Sequence, residues 1–291
     1  MTNWIGRELR PADMKAPLTT LIERAPRPAS LFVKAAHARG ADFTGWWYGV
    51  WRDGQTLEAV MAVDNHQGSI YADNEDAARG LANELHAVQK RLGPTGQAHR
   101  HQLIGEAKTM MVIWPIMKDI PGRKILSDKD CDLLVASPDD GSAAPSSRVT
   151  FDLATRADER IVYDFAADLR IDQMGVDPRK IGRETYGQRI TDLIVTGREL
   201  IAKEKDSGRP FFVAELQDLS ADTMMLTETW VPPHYRARGK LIAHAFWAAA
   251  RHPAVAGKEL VYLASDPTLG GAAKAAGWKR MAGYRWSVTH G

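Results

Sequence analysis

The stretch from Met224 to Arg251 constrains this chain most, because it reads as a strand, a stop, a basic turn and a helix in succession. Met224–Val231 is an apolar run of strand type. Pro232 and Pro233 follow, and neither can donate to a sheet ladder, so the strand ends there. Arg236-Ala237-Arg238-Gly239-Lys240 then opens a helix that runs through Leu241–Arg251. The start of a helix presents unpaired N–H groups and the positive end of its dipole. Two arginines, a lysine and a glycine that lets the backbone come close turn that start into an anion cradle, suited to a pyrophosphate.

At 291 residues the chain exceeds one small domain, and two are expected. The net charge of +2 is nearly balanced and gives no signal for nucleic acid or a membrane surface. The single cysteine, Cys131, excludes a disulfide framework and a cysteine-based zinc site, and reads as a small buried apolar residue. No metal site is expected. Met1–Arg10 holds no apolar run of signal-peptide length, and no stretch approaches the roughly 18 apolar residues of a spanning helix. A cytoplasmic location is the expectation.

Taken in order, residues 1–14 read as a loose lead-in. Ala16–Ala25 suits a short helix stopped by Pro26 and Pro28, and Leu31–Ala38 is a second helix or an apolar strand. Phe43–Trp51 and Thr56–Val63 flank Asp53-Gly54 and read as a β-hairpin, with Trp46, Trp47 and Trp51 as its core or as one wall of a cleft. Ser69–Ala72 reads as a strand, Glu75–Arg91 as a helix, His101–Gly105 as a strand, Glu106–Met117 as a helix and Asp132–Ala136 as a strand. Ser137–Ser147 is small, polar and proline-containing, and is the expected linker between domains at 15–136 and 148–291. Beyond it come a strand at Arg148–Leu153, a helix through Leu169, a second helix over Thr185–Ala202 and strands at Arg209–Leu216 and Met224–Val231. After the basic-turn helix, Glu259–Ala264 is a strand of the buried kind.

The basic turn resembles the acetyl-CoA loop of the GNAT N-acyltransferases, whose pattern is Arg or Gln, two residues, Gly, one residue, then Gly or Ala. Arg236 and Gly239 fill it, and Leu241 departs from its last position. Gly277-Trp278 fills the family's closing Gly-aromatic pair, and Asp266 stands where the family has an Asn. Met174–Pro178 with Tyr186, Arg189 and Gly197 resembles bacterial two-part GNAT proteins, in which the N-terminal half is GNAT-like and degenerate. The resemblance implies an α/β (α+β) fold of two tandem GNAT-like domains, each a mixed, mostly antiparallel sheet flanked by helices. The glycines of Arg91–Gly96 follow a helix instead of opening one, so the N-terminal half reads as one that does not hold acyl-CoA.

The resemblance further implies acetyl-CoA, or another acyl-CoA, as co-substrate. Its pyrophosphate would lie on Arg236, Ala237, Arg238, Gly239, Lys240 and Leu241, with Asp266 near the pantetheine. The backbone of Trp230 and Val231 would contact the thioester. The acceptor would be an amine on a small molecule or a protein, attacking directly in a ternary complex, and the reading leaves a homodimer open. For the base, Glu228 interrupts an apolar strand close to the thioester; it is either the base or a paired strand-face carboxylate, with Glu215 the second candidate. His234 reads as a surface or phosphate-contacting residue. The family's usual proton-donating Tyr is here Ala273, which has no hydroxyl, and Tyr284 or Tyr262 is a substitute unless each is simply packed. The alternatives are a GNAT-fold acyl-CoA-binding, regulatory or scaffold protein without catalysis, and an acyltransferase that uses an acyl-carrier protein.

Overall fold

In the computed structural model, which describes residues 3–64, 67–92, 100–118, 124–136 and 144–290, Asp53 and Gly54 take φ of 50° and 71°. That left-handed backbone turns the expected hairpin tightly, and Gln55 N–H closes it on Arg52 O at 3.0 Å. The chain forms two compact units. The first comprises residues up to Cys131 together with those from Ala282 onward, and the second runs from Asp132 to Met281.

In the first unit the elements are β1 (Trp4–Glu8), α1 (Pro11–Lys15), α2 (Pro17–Arg24), α3 (Arg27–Ala38), β2 (Trp46–Arg52), β3 (Thr56–Asp64) and β4 (Gln67–Ala72). Then follow α4 (Glu75–Leu92), β5 (Arg100–Glu106), α5 (Ala107–Met117) and β6 (Lys124–Val135). The sheet runs β1-β2-β3-β4-β5, antiparallel except for the parallel pair β4 and β5. The lead-in expected over residues 1–14 is instead a strand and a helical turn. Trp4–Glu8 pairs along β2, and Arg7 lies 4.5 Å over the Trp51 ring while bonding Asp13. Trp47 and Trp51 are buried beneath α2 and α3, as an alternating strand requires, and Trp46 on the opposite side is exposed.

In the second unit come β7 (Val149–Leu153), α6 (Glu159–Met174), α7 (Arg183–Val195), β8 (Glu199–Glu204), β9 (Pro210–Asp218) and β10 (Thr223–Trp230). They are followed by α8 (Gly239–Ala249), β11 (Glu259–Ala264), α9 (Pro267–Ala275) and β12 (Lys279–His290). The sheet runs β7-β8-β9-β10-β11 and is extended on β11 by the end of β6, Asp132–Val135. Again one pair, β10 and β11, is parallel. The last strand completes the first unit, pairing with β5 from Tyr284 opposite Glu106 to His290 opposite Arg100. Apolar side chains of α6 and α7 pack on one face of the second sheet with Ile201, Val213 and Trp230. On the other face α8 and α9 pack around Phe246, whose ring contacts Phe212, Tyr262 and Trp278.

The helix expected over Thr185–Ala202 ends early. Gly197 takes φ 65°, Arg198 N–H bonds Leu193 O at 2.8 Å, and Glu199–Glu204 becomes a strand with Leu200, Ile201 and Ala202 buried. The stretch reads as helical periodicity only because the apolar residues of two elements happen to continue one face. Of the expected linker, residues 137–143 lie outside the described residues, as do residues 93–96 of the Arg91–Gly96 run.

Gly197→Ala separates the two readings by sign. In a helix interior the change stabilises by roughly 0.5–1 kcal/mol, whereas at a left-handed position it costs about 1–2 kcal/mol. Urea unfolding is expected to show the loss.

Candidate functional site

Strands β10 and β11 pair only from Thr223 opposite Glu259 to Leu226 opposite Tyr262. Both run on, to Trp230 and Ala264, while β11 pairs with β6 along its other edge from Val261 opposite Val135 to Ala264 opposite Asp132. Among the described residues no strand pairs with β10 from Thr227 to Trp230 on its β11 side. On its other side the ladder to β9 slips between Thr227–Glu215 and Trp230–Val213, so that Glu228 and Thr229 stand against Ala214 alone. This bulge holds Glu228 at φ 45°, a conformation that a non-glycine residue keeps only where its surroundings enforce it. The result is a notch of unpaired backbone beside Glu228.

The notch ends at the basic turn. Pro232 and Pro233 leave the sheet, Pro233–Tyr235 forms one tight turn, and α8 begins at Gly239 with no side chain capping it. Arg236 lies 4.9 Å over the Trp230 ring, with Nε bonded to Val231 O at 3.3 Å and a terminal nitrogen 3.5 Å from Asp266. Arg238 lies 4.9 Å over Tyr235 and bonds Glu204, which also accepts from the Tyr235 hydroxyl at 3.2 Å. Lys240 is exposed and makes no ion pair among the described residues. A cavity of about 640 Å³ adjoins the turn, lined by Ala237, Arg238, Gly239, Lys240 and Leu241 and by Arg148, Glu204 and Ser207 across from them. A Cβ on Gly239 would meet nothing within 4 Å, so the open side of this turn is space. Leu241 is half-buried and packs against the core beneath α8, which accounts for a side chain where the family pattern has almost none.

On the face covered by α6 and α7, three carboxylates stand in a row across the sheet. Glu199 on β8 is directly opposite Glu215 on β9, whose other neighbour, Thr227, precedes Glu228 on β10. Arg170 of α6 bonds Glu228 Oε1, and Arg189 of α7 bonds Glu215 and lies 3.8 Å from Glu228. Tyr186 sits between the two guanidinium groups, 5.9 Å and 6.0 Å from them. Glu228 Oε2, the Tyr163 hydroxyl and Trp230 Nε1 are buried with no hydrogen-bond partner among the described residues. Glu199 is only 4% exposed and makes no ion pair among the described residues. Burial, with Glu215 and Glu228 nearby, pushes its pKa up to about 8 against the smaller opposing effect of Arg189. Burial likewise raises the pKa of Glu215, although Arg189 opposes it. Among the described residues no group of three or more His, Cys, Asp or Glu is arranged to hold a metal.

The expected residues Trp230, Val231 and Arg236 to Leu241 thus meet at one end of β10, with Glu228 at the bulge before them. Asp266 has a structural task as well: its Oδ1 caps α9, accepting from Thr268 and Leu269 N–H at 2.7 Å and 3.2 Å, while its Oδ2 faces Arg236. Ala273 is fully buried in α9. Tyr284 belongs to the first unit, where it packs edge-on against Phe32 and donates its hydroxyl to Pro28 O at 2.6 Å. Tyr262 is packed against Phe246 and Trp278, and His234 is exposed and lies against Tyr235. The residues that sequence reasoning passed over are Glu199, Arg170 and Tyr163. The signal for Glu199 was present in Thr196-Gly197, a helix stop followed by a new apolar run; Arg170 and Tyr163 carried none.

In the first unit the turn between the parallel strands is Asp73-Asn74 before Glu75 and Asp76 of α4. Asn74 caps that helix through Ala77 N–H at 2.9 Å, and Asp73 bonds Arg24 and the Tyr71 hydroxyl. A helix start already capped and lined with acids repels a phosphate, whereas the start of α8 is uncapped and basic.

Solved structures share this fold. A GCN5-related N-acetyltransferase from Sphaerobacter thermophilus aligns over 98% of this chain and 95% of its own, at TM-score 0.60 and 19% identity. A tandem GNAT protein from the clavulanic acid biosynthesis pathway aligns over 98% of each chain, at 0.51 and 13%. A GNAT-family acetyltransferase from Colwellia psychrerythraea aligns over 99% of this chain and all of its own, 100%, at 0.50 and 10%. No protein-family model and no curated protein matches the sequence.

The state of Glu199 has a consequence for stability. The folded chain keeps its proton up to about pH 8, while the unfolded chain releases it near the ordinary 4.5, so this residue's contribution falls as pH rises through that window. Glu199→Gln removes the fall. Urea unfolding is expected to show the variant matching its parent at about pH 5 and exceeding it at about pH 9.

Proposed function

We propose that this chain, whose fold is that of solved GNAT structures, is an acyl-CoA-dependent N-acyltransferase, with acetyl-CoA the first donor to try. The observation that carries this is the parting of β10 from β11 directly before the uncapped basic start of α8. An extended thioester arm fits the notch as a surrogate strand, its carbonyl polarised by backbone N–H groups near Trp230 and Val231. The diphosphate would lie on the amides of the α8 start with Lys240 and Arg238, the latter exchanging Glu204 for phosphate. Arg236, held on Trp230 and by Asp266, shapes the turn and adds positive charge.

The acceptor amine must shed one proton on attack, and Glu228 is the group proposed to take it. Its Oε1 is held by Arg170, which orients the carboxylate, and its Oε2 is left to accept. The C–S bond then breaks and the sulfur leaves with the electron pair. Neither Ala273 nor Tyr284 supplies a proton to it, the first lacking a hydroxyl and the second donating to Pro28 O. A thiol is far more acidic than an alcohol or an amine, so it can depart as thiolate and take its proton from water afterwards. Ala273 also favours a second reading, a protein that binds acyl-CoA without transferring the acyl group. Free CoA release separates the two.

Calorimetric titration with acetyl-CoA and with CoA is expected to show binding of both. Arg238→Ala and Lys240→Ala should each weaken it, roughly ten- to a hundredfold, the ordinary worth of a hydrogen bond to a charged group. Absence of binding would remove the acyl-CoA reading. Glu228→Gln should keep CoA affinity and lower turnover by about 10²–10⁴-fold; an unchanged pH–rate profile in that variant would remove Glu228 as base.

A further inference from the structure

The row of carboxylates under α6 and α7 is larger than one proton transfer needs. Glu199, Glu215 and Glu228 supply three acidic groups, and Arg170 and Arg189 supply two guanidinium groups. Arg170 bonds Glu228, and Arg189 bonds Glu215 and reaches Glu228 at 3.8 Å. Glu199 is left over, more than nine-tenths buried, with no ion pair among the described residues. The charged groups that act on it are Glu215 on β9, Glu228 on β10 and Arg189 on α7; Arg170 and Tyr163 on α6 and Tyr186 on α7 stand around Glu228 and Arg189. Ionised, a buried acid without a partner is costly unless a cation arrives to compensate it. The unpartnered Tyr163 hydroxyl and Glu228 Oε2 are further acceptors open to an incoming donor.

Arg189 joins this row to the outer side of α7. A shallow groove of about 920 Å³ is lined by Gln188, Arg189, Asp192, Thr196 and Arg198. The last of these immediately precedes Glu199 in the chain, and Arg189 holds the middle of the row.

We propose that the acceptor carries a second positive charge, and that Glu199 binds it while the amine that attacks the thioester lies at Glu228. This rests on the acyltransferase reading for the identity of the attacking amine. An anionic acceptor does not suit the site, because both guanidinium groups already serve carboxylates. The ends of the row are two strand spacings apart, ~10 Å. A chain of about five methylenes holds its two nitrogens ~7.5 Å apart, so it spans the row when each nitrogen stands beside its carboxylate, ~3 Å from it and about 1 Å inward along the row. Binding such a dication stabilises the ionised form of Glu199. With its pKa raised to about 8, Glu199 is largely protonated at neutral pH, so binding there releases a proton to solvent.

The probes are 1,5-diaminopentane and n-pentylamine, titrated calorimetrically into the full chain at neutral pH in two buffers of different ionisation enthalpy. The expected result is tighter binding of the diamine, on the order of tenfold or more, with proton release for the diamine alone. Glu199→Gln mimics the protonated carboxyl and so preserves the fold; it should abolish both the preference and the proton release. Equal affinity for the two amines, binding of neither, or a preference that survives Glu199→Gln would overturn the proposal. CoA titration of the same samples keeps the two readings apart. Bound CoA without diamine preference leaves the acyltransferase reading standing, and diamine preference without CoA binding leaves only the cation site.

Discussion

The second unit depends on how β10 leaves its neighbours. A strand bonded on both edges is saturated and can offer nothing to a ligand. Here the β10–β11 ladder stops at Leu226, just before the extra residue at Glu228, while β11 goes on bonding the end of β6 along its other edge. Backbone polarity that would be costly to bury unpaired is thereby left without a strand partner on that edge. The same bulge aims Glu228 at the α6–α7 face, where Arg170 and Arg189 receive it. One irregularity in register thus makes the notch and places a carboxylate at its lip.

The polar cluster on that face is the second constraint. Charges inside a sheet–helix interface are tolerated only when paired, and two of the three acids are. The third, Glu199, avoids the cost by keeping its proton. Apolar packing of Val162, Phe165, Ile190 and Ile194 surrounds the cluster, which keeps the dielectric low and the interactions strong. On the opposite face α8 and α9 rest on a large apolar layer around Phe246, and the three carboxylates stand on the other face.

The two units show how little change separates a ligand site from a plain helix cap. Both have one parallel pair joined through a helix, β4-α4-β5 and β10-α8-β11. In one the helix begins with Asn74 as cap and acids in its first turn; in the other it begins bare, with Arg238, Gly239 and Lys240. The topology is the same, and the sign of the charge at the helix start decides whether an anion is welcome.

The strand–Pro-Pro–basic-turn–helix run was legible from residues alone, because prolines, glycine and charge act locally on the backbone they occupy. So were the Asp53-Gly54 hairpin and most helices, each set by short-range periodicity. The role of Tyr284 was not, because its partners, Pro28 and Phe32, lie far away in sequence, and its strand completes the sheet of the other unit. Glu199 was hidden by a helix-like spacing that runs across a glycine stop. Arg170 and Tyr163 look like ordinary helix residues until α6 is laid on the sheet. Local chemistry marked where an anion could bind. Only tertiary structure decided which side chains stand opposite the notch, since cross-strand register and helix docking are set by packing over long sequence distances.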